Sequence, residues 1–377
     1  MAGIYIHIPF CKQACFYCDF HFSTSLKKKD EMIAAITAEL LLRRAELKGE
    51  VIETIYFGGG TPSILEVEQL LQIIEFIETH FEVCAEPEIT LEANPDDLDS
   101  KTIQKLAQTR INRLSIGIQS FFEADLKMMN RAHNAEEALN CLIEATRYFK
   151  NISIDLIYGI PGMTAERWLQ NIETVLDLGI PHISSYALTV EPKTALYKLI
   201  QKGSIPQPDD GAAHEHFLLL IDRLKKANFI HYELSNFGKD GFFSKNNSAY
   251  WLGKKYLGVG PSAHSFDGES RSWNIANNSL YIKGIQEGIL PIERELLSVE
   301  DRYNEYVMTG LRTLWGVDLH RVQREFGLQY RAYLSTQAER FITDGLMADQ
   351  KGILTITNKG KFLSDGIAAD LFWLNLK

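Results

Sequence analysis

Ile4-Tyr5-Ile6-His7-Ile8-Pro9-Phe10-Cys11-Lys12-Gln13-Ala14-Cys15-Phe16-Tyr17-Cys18 is the run that decides the fold. Ile4–Ile8 is short and mostly apolar, the pattern of a buried strand. Three cysteines then fall within eight positions, spaced C-x3-C-x2-C, in the loop directly after that strand. Three thiolates can hold three irons of a [4Fe–4S] cluster, whereas four are usual where the cluster only transfers electrons. A missing fourth ligand leaves one iron open to a ligand from outside, as a catalytic zinc keeps an open position. Two plainer readings stand beside this one: a zinc site completed by His21, and cysteines that are merely core residues. The total of five cysteines is odd, a poor basis for a disulfide framework.

Outward from this loop, similar apolar runs recur at Val51–Phe57, Glu88–Glu92, Arg113–Ile118, Ile152–Ile157 and His182–Leu188. Between them lie stretches of helical period: Asp30–Leu47, Glu66–Phe81, Ser100–Gln108, Ala135–Phe149, Ala165–Leu178 and Gly211–Ala227. The alternation predicts an α/β fold of β/α units around a parallel sheet. Six units are too few to close an eight-unit barrel, so the expectation is a partial, splayed (β/α)6 barrel, with a doubly wound sheet as the competing arrangement. Either way, function belongs at the carboxyl ends of the strands. Cys11, Gly58-Gly59-Gly60-Thr61, Glu92-Ala93-Asn94-Pro95, Gln119 and Asp155 all fall there, one rim built from five separate segments. The glycine run permits close approach of a ligand to the backbone, or simply a tight turn. Arg131 taken alone reads as a surface ion-pair partner, and Cys84 and Cys141 as core or incidental residues.

The pattern changes near residue 230. Irregular β and loop segments are expected to about 297. Helices return at Asp301–Leu314, Leu319–Phe326 and Arg331–Asp344, followed by a short strand at Ile353–Thr357 and a last helix near Lys359–Phe372. The expected domains are therefore 1–230, a connecting region 231–297, and a mainly helical, winged-helix-like domain 298–377. The chain of 377 residues has ordinary globular composition, with 45% hydrophobic and 23% charged residues. Lys plus Arg number 39 against 49 Asp plus Glu, a net charge of −10 that argues against a general nucleic-acid binder. No run approaches the ~20 apolar residues of a membrane span. The amino terminus lacks a basic region followed by a long apolar one, so the expected location is the cytoplasm.

The cysteine loop, with Tyr17 just before its last thiol, resembles the radical S-adenosylmethionine (SAM) superfamily. Tyr5-Ile6-His7-Ile8-Pro9-Phe10-Cys11, Gly58–Ser63, Glu92–Pro95, Gly117–Phe121 and Gly258–His264 narrow the likeness to the HemN/HemW family, across nearly the whole chain. That family contains an oxygen-independent coproporphyrinogen III dehydrogenase and heme-chaperone relatives. The resemblance implies that Cys11, Cys15 and Cys18 ligate a [4Fe–4S] cluster. It implies that Tyr5, Tyr17, Gly59, Gly60, Thr61, Glu92, Gln119, Arg131 and Asp155 line the site for SAM, which one-electron reduction would cleave to a 5′-deoxyadenosyl radical.

Two departures favour the chaperone branch. The decarboxylating members carry a further cysteine two residues on, where this chain has Phe20, and a longer amino-terminal segment. The chaperones carry His-Asn-x-x-Tyr-Trp, which is associated with heme. Here the run is Asn246-Asn247-Ser248-Ala249-Tyr250-Trp251, leaving Asn247, Tyr250 and Trp251 as the implied heme contacts and an amide in place of the imidazole. Core packing is the plain reading of Tyr250 and Trp251, and His231 and His264 are substitute ligands. The implied function is heme binding and delivery. The implied partners are heme or a related porphyrin, a flavodoxin or ferredoxin as electron donor, an acceptor protein, and transient contact with a membrane protein. The alternative is anaerobic oxidative decarboxylation of coproporphyrinogen III, and behind it stands a radical SAM enzyme of unrelated substrate.

Overall fold

The computed structural model describes residues 2–374; Met1 and residues 375–377, the outer ends of the first and last expected domains, lie outside it. The six apolar runs form strands, each followed by helix: β1 (Ala2–Ile8) and α1 (Lys29–Arg43), β2 (Ile52–Gly59) and α2 (Val67–His80), β3 (Val83–Ala93) and α3 (Ser100–Leu106). β4 (Arg113–Gln119) is followed by two helices, α4 (Glu123–Met128) and α5 (Ala135–Tyr148). β5 (Ile152–Tyr158) precedes α6 (Ala165–Asp177), and β6 (His182–Ala187) precedes α7 (Ala195–Gln201) and α8 (Asp210–Lys226). Local chemistry sets the helix starts. Glu66 with Gln69, and Asn134 with Glu137, form capping boxes at α2 and α5, and the Thr164 side chain accepts from the Arg167 amide at α6.

β1 to β6 pair in sequence order and in parallel. Among the described residues the sheet has twelve strands, and its ends do not meet. The closed barrel and the doubly wound sheet are both avoided: six consecutive parallel neighbours without a strand-order reversal make a splayed barrel. Residues 231–297 enter this same sheet at both edges. β7 (Ile230–Glu233) and β8 (Asn236–Gly238) run antiparallel beside β6. The chain then crosses through a helix, α9 (Lys245–Trp251), where loop was expected. It returns as β9 (Lys255–Val259), parallel to β1, and continues antiparallel through β10 (His264–Phe266), β11 (Ser270–Asn274), α10 (Asn278–Gln286) and β12 (Ile292–Leu296).

Alternation along the strands separates two faces. Ile55 and Phe57 of β2 are fully buried in the apolar core with Ile4, Ile6, Ile36 and Ile73. On the other face, Thr54 donates to Asn246 of α9 at 3.0 Å, and a Cβ on Gly3 would lie 3.4 Å from the same amide oxygen. α9 therefore sits against the inner face of the barrel, and the polar residues of the strands point towards it.

The carboxyl-terminal unit has its own apolar cluster, including Tyr303, Val307, Leu311, Val322, Leu334 and Leu354. It comprises α11 (Val299–Leu311), β13 (Val317–Asp318), α12 (Leu319–Phe326), α13 (Leu328–Thr343), β14 (Met347–Gln350), β15 (Ile353–Ile356) and α14 (Ser364–Asp370). Its strands form a small antiparallel ribbon in the order β13-β15-β14, the wing expected beside the helices.

Candidate functional site

The cysteine loop is clamped at its base and braced along its length. The Cys11 amide donates to Ser23 O at 3.1 Å and the Ser23 amide to Pro9 O at 2.9 Å. The Phe16 amide donates to Met129 O, and the Leu196 amide to Phe16 O. Asn130 Nδ2 donates to Ala14 O at 2.8 Å, and Gln13 Nε2 donates to Asn130 O at 2.9 Å. Lys12 pairs with Asp96 and Asp97 beyond β3. Segments after β3 and β4 and the start of α7 thus hold the loop after β1.

Arg131 joins this loop to the strands. Its Nη1 lies 3.3 Å from Cys15 Sγ and 3.5 Å from Tyr17 Oη, while Nη2 donates to Asn94 Oδ1 at 2.8 Å and Gly117 O at 2.7 Å. Burial works against its charge, but Tyr17 and the Cys15 thiol outweigh burial and keep the guanidinium protonated. It is not the surface ion-pair residue that its sequence context allows. Its Nε is buried without a partner, an unspent donor beside the thiols.

The glycine run has a structural reason of its own. A Cβ on Gly60 would lie 2.6 Å from Phe10 O and 2.8 Å from Ile8 O; on Gly58 it would meet the Tyr5 and Tyr56 rings at 2.9 Å. Gly59 has φ +104° and faces the His7 ring. The close approach these glycines permit is first of all that of β1 itself, whose end then receives hydrogen bonds from Gly60 N to Ile8 O and Thr61 N to Phe10 O. Gln119 ends β4 with φ +69°, at a shift in the β4–β5 register, a backbone state uncommon for non-glycine residues.

Two carboxyls lie on the inner face. Glu92 accepts from Tyr56 Oη at 2.7 Å and Gly59 N at 3.2 Å. Burial pushes it up to about 7, the Tyr56 hydrogen bond opposing and nearby Asp155 reinforcing the shift. Burial pushes Asp155 up to about 6 against the Ser184 hydroxyl and the charges of Arg131 and Arg113. They share a polar cavity of about 50 Å³ with Tyr56, Arg113, Ser153 and Asn247. Tyr5 stacks on Tyr56 with ring centroids 6.0 Å apart. Tyr56, Arg113, Ser184 and Tyr186 went unread in the sequence. Their signal is a polar residue at every second position of strands that are otherwise apolar.

The three implied heme contacts share one face of α9, but they meet different neighbours. Asn247 lines the small polar cavity, Tyr250 packs edge-on against Tyr256 at 4.5 Å, and Trp251 lies beneath the Arg312 guanidinium at 5.5 Å. Asn246 is 2% exposed, its amide oxygen bonded to Thr54. His231 is stacked on Phe237 and bonded through both ring nitrogens, to Lys361 and Leu234 O, so it offers no lone pair to iron; His264 is exposed. Cys141 is buried in α5, as expected, whereas Cys84 at the start of β3 is only half-buried and lines a cavity.

The residues of the cysteine loop fit an iron–sulfur cluster. Cys11, Cys15 and Cys18 are free, half-buried thiols on this one loop. A cubane takes one thiolate on each of several irons. His21, the fourth ligand of the zinc reading, bonds Asn278 Oδ1 through Nε2 at 2.8 Å. Burial pushes Cys18 up to about 11 and Cys11 in the same direction, so loading must expel thiol protons.

Comparison with known proteins agrees with this geometry. The sequence matches the Radical SAM superfamily over residues 5–175 and the HemN C-terminal domain over residues 297–363. It is 32% identical to a protein named heme chaperone HemW from Bacillus subtilis, over 97% of this chain and 98% of that one. It is likewise 32% identical to one of the same name from Lactococcus lactis, over 96% and 95%. The solved structure of coproporphyrinogen III oxidase (HemN) from Escherichia coli superposes with a TM-score of 0.86 at 23% identity, covering 98% of this chain and 90% of that one.

Proposed function

The chain belongs to the HemW family of radical SAM proteins, and from that premise we propose that it binds heme in the cytoplasm and hands it to an acceptor protein. The observation that carries this reading is the near-full-length likeness to heme chaperones, in a chain whose cysteine loop has Phe20, 68% exposed, after its third thiol. In the same reading Cys11, Cys15 and Cys18 hold a [4Fe–4S] cluster. Tyr5, Tyr17, Gly59, Gly60, Thr61, Glu92, Gln119, Arg131 and Asp155 surround SAM, and a flavodoxin or ferredoxin supplies electrons. Transient contact with a membrane protein belongs to the same reading; no helix among the described residues is long and apolar enough to cross a membrane.

When bound, cluster and SAM together supply one-electron chemistry at a sulfonium centre. The chain's own part is positional and electrostatic. Arg131 sets a fixed positive charge against Cys15 and ties it to Asn94 and Gly117. Glu92, poised near 7, releases its proton when a cationic group comes to rest beside it, and Tyr56 and Gly59 N then hold the carboxylate. Asp155, poised near 6, supplies a second acceptor two strands away.

The test is an anaerobic comparison of heme binding and coproporphyrinogen III consumption by the reconstituted protein with SAM and reductant. We expect micromolar or tighter heme binding, about −8 kcal/mol or better, and no decarboxylated product. Product at catalytic turnover would replace this reading with the decarboxylase one.

A further inference from the structure

A second cavity lies at the opposite end of the barrel from the cysteine loop. The amino-terminal ends of β1, β2 and β3 and the outer face of α9 line an open cleft of about 580 Å³, within the range of cofactor-sized sites. Lys245, Ser248 and Ala249 of α9 and Leu252 just after it line the cavity at spacing i, i+3, i+4, i+7, on the face away from Asn247, Tyr250 and Trp251. The opposite wall is a bulge in β3. Ile52 pairs with Val83 and Thr54 with Glu88, so four residues, 84–87, stand across from Glu53 alone. Bulges of this kind re-aim side chains and recur beside functional sites. This one brings Cys84 to the cavity wall.

Beside the carboxylates of Glu53 and Glu86, the lining offers apolar surface, cationic groups and a soft thiol, which suit a flat ligand with acidic substituents and a soft metal. Ala2, Phe243, Ala249 and Leu252 supply apolar surface. Among the described residues that line the cavity, Cys84 carries the side chain of a kind that binds heme iron. Lys254 is committed to Glu53 at 2.8 Å, but Lys245 is exposed and makes no ion pair among the described residues. The Ser248 hydroxyl oxygen is buried without a hydrogen-bond partner.

We propose that this cavity seats the heme cargo, with Cys84 Sγ as a ligand to iron and the Lys245 ammonium beside a propionate. The proposal rests on the chaperone reading above. On binding, an Fe–S bond forms as a water leaves the iron and the thiol proton passes to solvent; neither iron nor sulfur changes oxidation state.

Heme titrations of the cluster-loaded protein test it, compared across wild type, Cys84→Ala, Cys84→His, Lys245→Glu and Cys141→Ala, with iron and sulfide content reporting intact folding. The wild type should show the red-shifted Soret band of a thiolate-bound ferrous carbonyl complex. Cys84→Ala should lose that band and bind about tenfold more weakly or worse, while Cys84→His should bind with an imidazole-type spectrum. Lys245→Glu should weaken binding and keep the thiolate spectrum, and Cys141→Ala should behave as wild type. Heme binding whose spectrum is indifferent to Cys84→Ala and Cys84→His would overturn the cavity assignment and leave the chaperone reading standing. A wild type that binds no heme would overturn both.

Discussion

Glu92 is a carboxyl that the fold holds near neutrality, and the consequence is a pH-dependent loss of stability. Its pKa rises from 4.5 in the unfolded chain to about 7 in the native one, so the native state binds the proton more tightly. Stability therefore falls as pH climbs from 4.5 to 7, by about 3 kcal/mol at most, and the loss is complete above that window. Glu92→Gln should keep the Tyr56 hydrogen bond and remove the titration. Measured by thermal unfolding under anaerobic conditions, the variant should gain on wild type between pH 5 and pH 8; a constant difference across that range would refute the shifted carboxyl. The thiols give a sharper test. Reconstituted wild type should hold about four irons and four sulfides, and Cys11→Ala, Cys15→Ala or Cys18→Ala should each abolish the cluster, whereas Cys84→Ala and Cys141→Ala should leave its iron content unchanged. A cluster surviving Cys15→Ala would exclude the assignment. These thiols were legible in the sequence because they are adjacent along the chain. Arg113, Tyr56 and Tyr186 were not, because each is one of several polar residues spread along a largely apolar strand, and its meaning appears only when neighbouring strands set such residues side by side.

The elements converge on the junction where β1 ends beneath the glycine run of β2. Gly60 N and Thr61 N hold Ile8 O and Phe10 O, which places the first cysteine. There is no room for a side chain: the Cβ of alanine at position 60 would lie 2.6 Å from Phe10 O, a backbone atom that cannot swing away. Gly60→Ala should therefore cost about 1–3 kcal/mol, the usual range for overpacking, read as a lower urea midpoint with unchanged slope. It should also lower cluster retention, since the loop is hinged there. Full stability in this variant would mean that the junction is softer than its contacts imply. Element type was readable for the first six units because their periods are strong and their lengths ordinary. α9 was not: it has only seven residues, 245–251, rich in Asn and Ser, and its helix is fixed by packing against β1, β2 and β9 rather than by propensity. The register of β9 beside β1 was equally hidden, because a strand that joins the first one after some 250 residues leaves no local trace.

Across the whole molecule, the carboxyl-terminal unit is tied to the barrel edge by main chain as well as side chains. The Leu234 amide donates to Arg312 O at 3.0 Å and the Leu314 amide to Tyr232 O at 2.9 Å, so the turn after α11 covers the exposed edge of β7. Arg271 makes a two-point ion pair with Glu305, and Arg312 reaches over Trp251 of α9. The contact that responds to pH lies beside these. Lys361 Nζ donates to His231 Nδ1 at 2.5 Å, while His231 Nε2 donates to Leu234 O at 3.0 Å, which fixes the ring as neutral. Burial pulls Lys361 down to about 8 from 10.5, and burial together with the Lys361 charge pulls His231 down to about 3. A lysine with a lowered native pKa releases its proton more readily folded than unfolded, so stability rises with pH from 8 to 10.5 and the charged group burdens the interface below that window. Lys361→Met keeps the aliphatic stem and removes the charge. The variant should be more stable than wild type at pH 7, by about 1–3 kcal/mol, and the advantage should shrink steadily towards pH 10.5. Urea unfolding at a series of pH values reads this directly. An advantage that stayed constant with pH would mean that Lys361 keeps its ordinary protonation and that the interface is wetter than its packing against His231 implies.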